Sequence, residues 1–166
     1  MPLNGVIRFR YDLTSRETPS PELPEGFAFI PFNGEAHARE ARTLLNLAFA
    51  NGGGEVEDFD DWWACISDDS EFDAECCFVL FHQETGKMAA FAHCWSSGFV
   101  KDIGVHPNFR RIGLARAMMF RIFAEFRSQG FPRVELKARA DNQTGALELY
   151  RWLGMSEERL GTRSAG

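Results

Sequence analysis

The chain of 166 residues lacks most of what would place it in a membrane, outside the cell or on nucleic acid. It has no apolar run near the ~20 residues that a spanning helix needs. Its opening residues also lack the charged-then-apolar layout of a secretion signal. A cytoplasmic location with no membrane partner is therefore expected. Cysteine is scarce, and Cys65, Cys76, Cys77 and Cys94 show neither disulfide-framework nor zinc-ligand spacing. They read as reduced, small apolar residues, and no metal is expected. Repeats and low-complexity segments are absent. So are the G-x-x-x-x-G-K-S/T and G-x-G-x-x-G loops, which disfavours the nucleotide folds built on them. There is no surplus of positive charge either: the net charge is −6. No nucleic-acid partner is expected, because affinity for a phosphate backbone needs an extended basic surface.

What is present suits one domain with a sizeable core: 45% hydrophobic residues, sixteen of them phenylalanine. Charge is unevenly spread. From Glu55 to Glu75 there are ten acidic residues and no lysine or arginine, whereas Arg110 to Arg127 holds five arginines and one glutamate. A compact basic site for one polyanionic ligand fits that distribution.

Residues 1–26 hold an apolar run from Val6 to Leu13 and then Pro19, Pro21 and Pro24. Three prolines in six residues forbid helix and interior strand, so 1–26 reads as an extended arm or linker ahead of a domain over 27–166. Within that domain a strand is expected from Phe27 to Phe32. Helical spacing of Ala41, Leu44, Leu45, Ala48 and Phe49 predicts a helix over 35–50, ended by Gly52-Gly53-Gly54. A short helix over 59–66 and strands over 76–81, 88–95 and 99–105 follow. An amphipathic helix runs from about Ala115 to a stop at Gly130, then a strand over 134–138 and a helix over 144–153. The end reads as a polar tail or short final strand. The order is mixed α/β.

The most informative stretch is Val105-His106-Pro107-Asn108-Phe109-Arg110-Arg111-Ile112-Gly113-Leu114-Ala115. Two arginines open a helix where the macrodipole is already positive, which is unfavourable unless an anion docks. Unpaired backbone N–H groups, two guanidiniums and the small residues Gly113 and Ala115 together make a phosphate cradle.

Arg110-x-x-Gly113-x-Ala115 is similar to the Q/R-x-x-G-x-G/A signature of the GNAT superfamily of N-acetyltransferases. Asn142-Gln143-Thr144-Gly145-Ala146-Leu147-Glu148-Leu149-Tyr150-Arg151-Trp152-Leu153-Gly154-Met155 resembles that family's N-x-x-G-A-L-x-L-Y-x-x-L-G-F/M segment. The likeness covers about residues 27–157, with both motifs in order. It implies the GNAT acyl-CoA N-acyltransferase fold, a mixed central sheet with splayed strands and flanking helices. It also implies acetyl-CoA as cosubstrate and transfer of its acyl group to a primary amine, small molecule or peptide, by direct attack in a ternary complex. A homodimer is left open. A non-catalytic CoA-binding or sensing module, or a protein-interaction module on the same fold, is the competing reading.

Carried over by position, the backbone of Ile103, Gly104 and Val105 would pair with the pantetheine arm. Amides from Arg110, Arg111, Ile112, Gly113, Leu114 and Ala115 would hold the pyrophosphate, and Asn142 would bind the cofactor or the splayed strand. Tyr150 matches the tyrosine that protonates the departing thiolate; the lesser alternative is a helix tyrosine closing the core beside Leu149 and Leu153. Phe99 stands where some members carry a basic glutamate, so that mechanism is unavailable here. Val134-Glu135-Leu136 resembles an alternative context, making Glu135 the first candidate base and Asp102 the second. The acidic run with Asp58, Trp62 and Trp63 falls where the family walls its acceptor pocket. Carboxylates beside indoles suit a cationic amine, although a solvated helix face and core tryptophans give the same pattern.

Overall fold

The computed structural model of the protein describes residues 5–15 and 17–161. Its elements in chain order are β1 (Val6–Asp12), β2 (Phe27–Pro31), α1 (Gly34–Phe49), α2 (Phe59–Ser67), β3 (Cys77–His82), β4 (Lys87–Trp95) and β5 (Phe99–Val105). Then come α3 (Leu114–Ser128), β6 (Arg133–Arg139), α4 (Ala146–Trp152) and β7 (Ser156–Leu160). The strands form one mixed sheet of seven in the order β2-β3-β4-β5-β6-β1-β7. β2 to β5 pair antiparallel in chain order; short turns join β3 to β4 and β4 to β5, as antiparallel neighbours allow, whereas α1 and α2 lie between β2 and β3. β5 and β6 run parallel, joined by the crossover helix α3.

The two faces of the sheet carry separate cores. One contains Leu44, Leu45, Phe49, Trp62 and Ile66 of α1 and α2 over Val79 and Phe91. The other contains Met118, Ile122 and Phe126 of α3 with Leu147 and Tyr150 of α4, over Phe78, Leu136 and the inward side chains of β1.

β1 differs from the arm expected of residues 1–26. Ile7, Phe9, Tyr11 and Leu13 alternate with Arg8, Arg10 and Asp12, and that period-2 pattern buries one face of a strand. β1 pairs antiparallel with both β6 and β7, so it is interior rather than appended. The proline-bearing stretch 17–24 has no helix or strand, and β2 then lies at the other edge of the sheet.

β5 and β6 pair only at Phe99↔Glu135 and Val100↔Leu136. Beyond that rung they part, and the gap is the largest concavity described below.

Candidate active site

The parted strands bound a cleft of about 1220 Å³. Lys101 to Val105 of β5 form one wall and Leu136 to Ala138 of β6 the other. The start of α3, the 142–146 loop and Tyr150 line the rest. β5 lies tight against α1: a side chain at Gly104 would meet Leu45 at 3.0 Å and Ala48 at 3.2 Å.

α3 opens into this cleft without a cap of its own chain. Its N-cap is Gly113 at φ 88°, a left-handed conformation suited to glycine, and no side chain bonds its first amides. No acidic residue lies in its first turn. The amides of Gly113 to Arg116 therefore face the cleft with no intrahelical acceptor. Arg111 is also left-handed, at φ 65°, the one described non-glycine residue with positive φ. Arg110 is turned aside and donates from Nη2 to the Ala48 carbonyl at 3.3 Å. At this helix start the groups facing the cleft are therefore backbone amides more than that guanidinium. Asn142 lines the cleft while its Oδ1 accepts from Thr144 N at 2.8 Å and Thr144 Oγ1 at 2.6 Å, which fixes the loop before α4.

Tyr150 is almost fully buried yet lines the cleft. Burial pushes its phenol up to about 12, so it holds its proton at neutral pH. Phe9 of β1 packs against its ring with centroids 5.2 Å apart.

The two carboxylates singled out by sequence separate here. Glu135 lies outside the cleft, in a cavity of about 300 Å³ shared with Glu71, Trp95 and Phe99. Two guanidiniums hold it, Arg10 Nε at 3.0 Å and Arg133 Nε at 2.8 Å. Asp102 lines the same cleft as Tyr150. Burial raises its pKa, partly offset by Lys101 and Arg42, and its Oδ2 has no hydrogen-bond partner among the described residues. Directly across the β4–β5 ladder stands His93, fully buried, both ring nitrogens likewise unpartnered. Burial holds His93 down to about 4, with Lys101 adding to the effect.

The segment expected to meet the acceptor is engaged internally. Asp58 caps α2 by accepting from Asp61 N at 3.2 Å, Trp62 is 2% exposed, and Trp63 packs on Phe32 and Phe72. None of the three lines either cavity. Sequence reasoning missed the clamp that holds this loop. Buried Arg42 pairs with Glu57 at 3.2 Å, donates to the Glu55 carbonyl at 2.9 Å and to Asn46 Oδ1 at 2.9 Å. An arginine on the apolar stripe of α1 was the available signal.

Buried Cys94 has its thiol pushed far up by desolvation, unsuited to a nucleophile. Among the described residues no group of His, Cys, Asp and Glu is arranged to hold a metal ion. No described helix is long and apolar enough to cross a membrane.

Comparison with known proteins supplies the context. The ribosomal protein bS18-alanine N-acetyltransferase of Escherichia coli K12 is 35% identical over 77 residues, covering 45% of this chain and 51% of that protein. The chain thus spans about half the length of the curated relatives it matches. A GCN5-related N-acetyltransferase from Sphaerobacter thermophilus superposes with a TM-score of 0.81 at 22% identity, over 96% of this chain and 50% of that one. The crystal structure of the E. coli ribosomal-protein-S18-alanine N-acetyltransferase gives 0.62 at 23%, over 77% and 76%. The model of the acetyltransferase (GNAT) family matches residues 38–155, a span holding the uncapped α3 start, the parted strands and Tyr150. The chain belongs to the GNAT acetyltransferase family.

Proposed function

We propose that the protein is an acetyl-CoA-dependent N-acetyltransferase acting on a primary amine by direct attack in a ternary complex. The observation that carries this reading is the cleft between β5 and β6, which ends at the uncapped amides of α3 and holds buried Tyr150. Ile103 to Val105 offer a strand edge for the pantetheine amides. The amides from Arg110 to Ala115 suit the pyrophosphate, and Asn142 keeps the opposite loop in place.

In the transfer, the amine nitrogen bonds to the thioester carbonyl carbon and the carbon–sulfur bond breaks. Asp102 accepts the proton that the attacking ammonium must lose. Its raised proton affinity and its place in the cleft favour it over Glu135, which two arginines engage elsewhere. Tyr150 donates its phenolic proton to the departing sulfur and regains one from the second proton that the acylated nitrogen sheds. The likeness to a protein-alanine N-acetyltransferase favours peptide α-amines among primary-amine acceptors.

The test is release of free thiol from acetyl-CoA across a panel of small amines and peptide N-termini, beside calorimetry with CoA. Turnover with any of them supports the reading. CoA binding without turnover would leave a binding module, and no CoA binding would remove the cleft assignment.

A further inference from the structure

The chain carries fifteen arginines but only three lysines, Lys87, Lys101 and Lys137. Side-chain primary amines, the groups that the proposed reaction acylates, are therefore rare. Lys101 lines the β5–β6 cleft, exposed, one residue past the Val100↔Leu136 rung where the strands part. The β4–β5 register shifts at this point: His93 faces Asp102 and Cys94 faces Val100, so Lys101 is the extra residue of a β-bulge. A bulge sets two residues opposite one and re-aims the side chain it carries. The Lys101 ammonium acts on Asp102 and His93 together, lowering the proton affinity of each. It makes no hydrogen bond or ion pair among the described residues.

The place of the acyl group follows from the reading of the cleft as the acetyl-CoA site, on which this inference rests. With the pyrophosphate at the α3 start and the pantetheine along Val105 to Ile103, the thioester falls at the closed end of the cleft, by the rung. Lys101 is the amine on that wall, and its neighbour Asp102 is the proposed proton acceptor. Lys137 lines the opposite wall, flanked in β6 by Leu136 and Ala138, and Lys87 stands outside the cleft at the start of β4.

We propose that Lys101 is a self-acetylation site: without an external acceptor, the chain transfers the acetyl group of its own bound donor to Lys101. Nζ gives a proton to Asp102 and bonds to the thioester carbonyl carbon, and the carbon–sulfur bond breaks. Tyr150 protonates the departing sulfur and regains the second proton that the nitrogen sheds. The products are acetylated Lys101 and free CoA. An amine held beside the thioester reacts without a second encounter, which gives it a very high effective concentration. Acetylation erases the Lys101 charge and leaves Arg42 to offset the burial of Asp102. The reaction thus alters the site that performs it.

The test is intact-mass measurement and peptide mapping of the folded chain before and after incubation with acetyl-CoA and no added amine. One acetyl group should appear per chain, on Lys101, at least about 100-fold faster than on Lys87. The rate per chain should be the same at every dilution. Two variants, each checked for folding by circular dichroism, should lose this fast label: Lys101→Arg, which lacks the amine, and Gly113→Glu, which obstructs the donor. Equal labelling of Lys87, labelling of Lys137 in place of Lys101, undiminished labelling of Gly113→Glu, or a rate that scales with protein concentration overturns the inference. So does an unlabelled chain that binds CoA, whether or not it acetylates an external amine, and the cleft assignment then stands. A chain that neither binds CoA nor takes up the label overturns both.

Discussion

The helices on the two faces of the sheet begin in opposite ways. On one face, Asn33 caps α1 by accepting from Ala36 N, and Asp58 caps α2 by accepting from Asp61 N. On the other, α3 and α4 begin at Gly113 and Gly145, both left-handed, with no side-chain cap. A self-capped start is complete and serves stability, worth about 0.5–2 kcal/mol per cap. A start without a cap leaves donors for something else, and α3 directs them into the β5–β6 cleft. The acidic run and the basic helix, so unlike in sequence, thus differ in purpose: the first closes on itself and the second stays open.

The sharpest way to break this contrast is Gly113→Glu. A side chain at φ 88° and a negative charge would meet the pyrophosphate directly, and like charges in contact cost several kcal/mol. CoA affinity should fall by at least about 100-fold with the circular dichroism spectrum retained; unchanged calorimetric affinity in the folded variant removes the cradle. Tyr150→Phe comes next. It should lower kcat by about 10²-fold or more and leave the KM for acetyl-CoA nearly constant, the signature of a proton donor. Unaltered turnover would make Tyr150 a packing residue against Phe9.

On the self-contained face the effects should appear in stability. Folding favours neutral His93, with its pKa moved from 6.5 to about 4. This contribution is fully present above about pH 6.5 and is lost as pH falls toward 4. The change across that window is about 3 kcal/mol. Urea unfolding at pH 7 and pH 4.5 should show a steeper acid loss in the parent than in His93→Phe, and parallel losses would refute the assignment. Smallest is Asp58→Ala, which should cost about 1 kcal/mol of stability with no change in acceptor KM. A raised acceptor KM would instead make the acidic segment part of the substrate wall.

Local features of this architecture were legible in the sequence. The strand from Phe99 to Val105 has the expected bounds, and the helix start with unpaired amides at Gly113 is coded within a few consecutive residues. β1 was missed although Ile7, Phe9, Tyr11 and Leu13 alternate cleanly, because the prolines after it suggested a detached arm. What stayed hidden depends on residues distant in the chain. Glu135 looked available until Arg10, 125 positions away, was found bonded to it. Asp102 and His93 face each other only through strand register. Trp62 and Trp63 looked like a binding surface because burial is not written in a residue's own neighbourhood.

The position of β1 between β6 and β7 has a kinetic consequence. All of its ladder partners lie at the far end of the chain, so its pairing closes the longest loop in the molecule. Contacts of such sequence separation form slowly, since the entropy of closure is lost before any contact compensates. Until then, β6 is tied to β5 by two residues and offers an unpaired edge. Phe9, which backs Tyr150, arrives with that same late strand. Refolding should therefore restore helical signal before activity, and the interval between them is the lifetime of a sheet with an open seam.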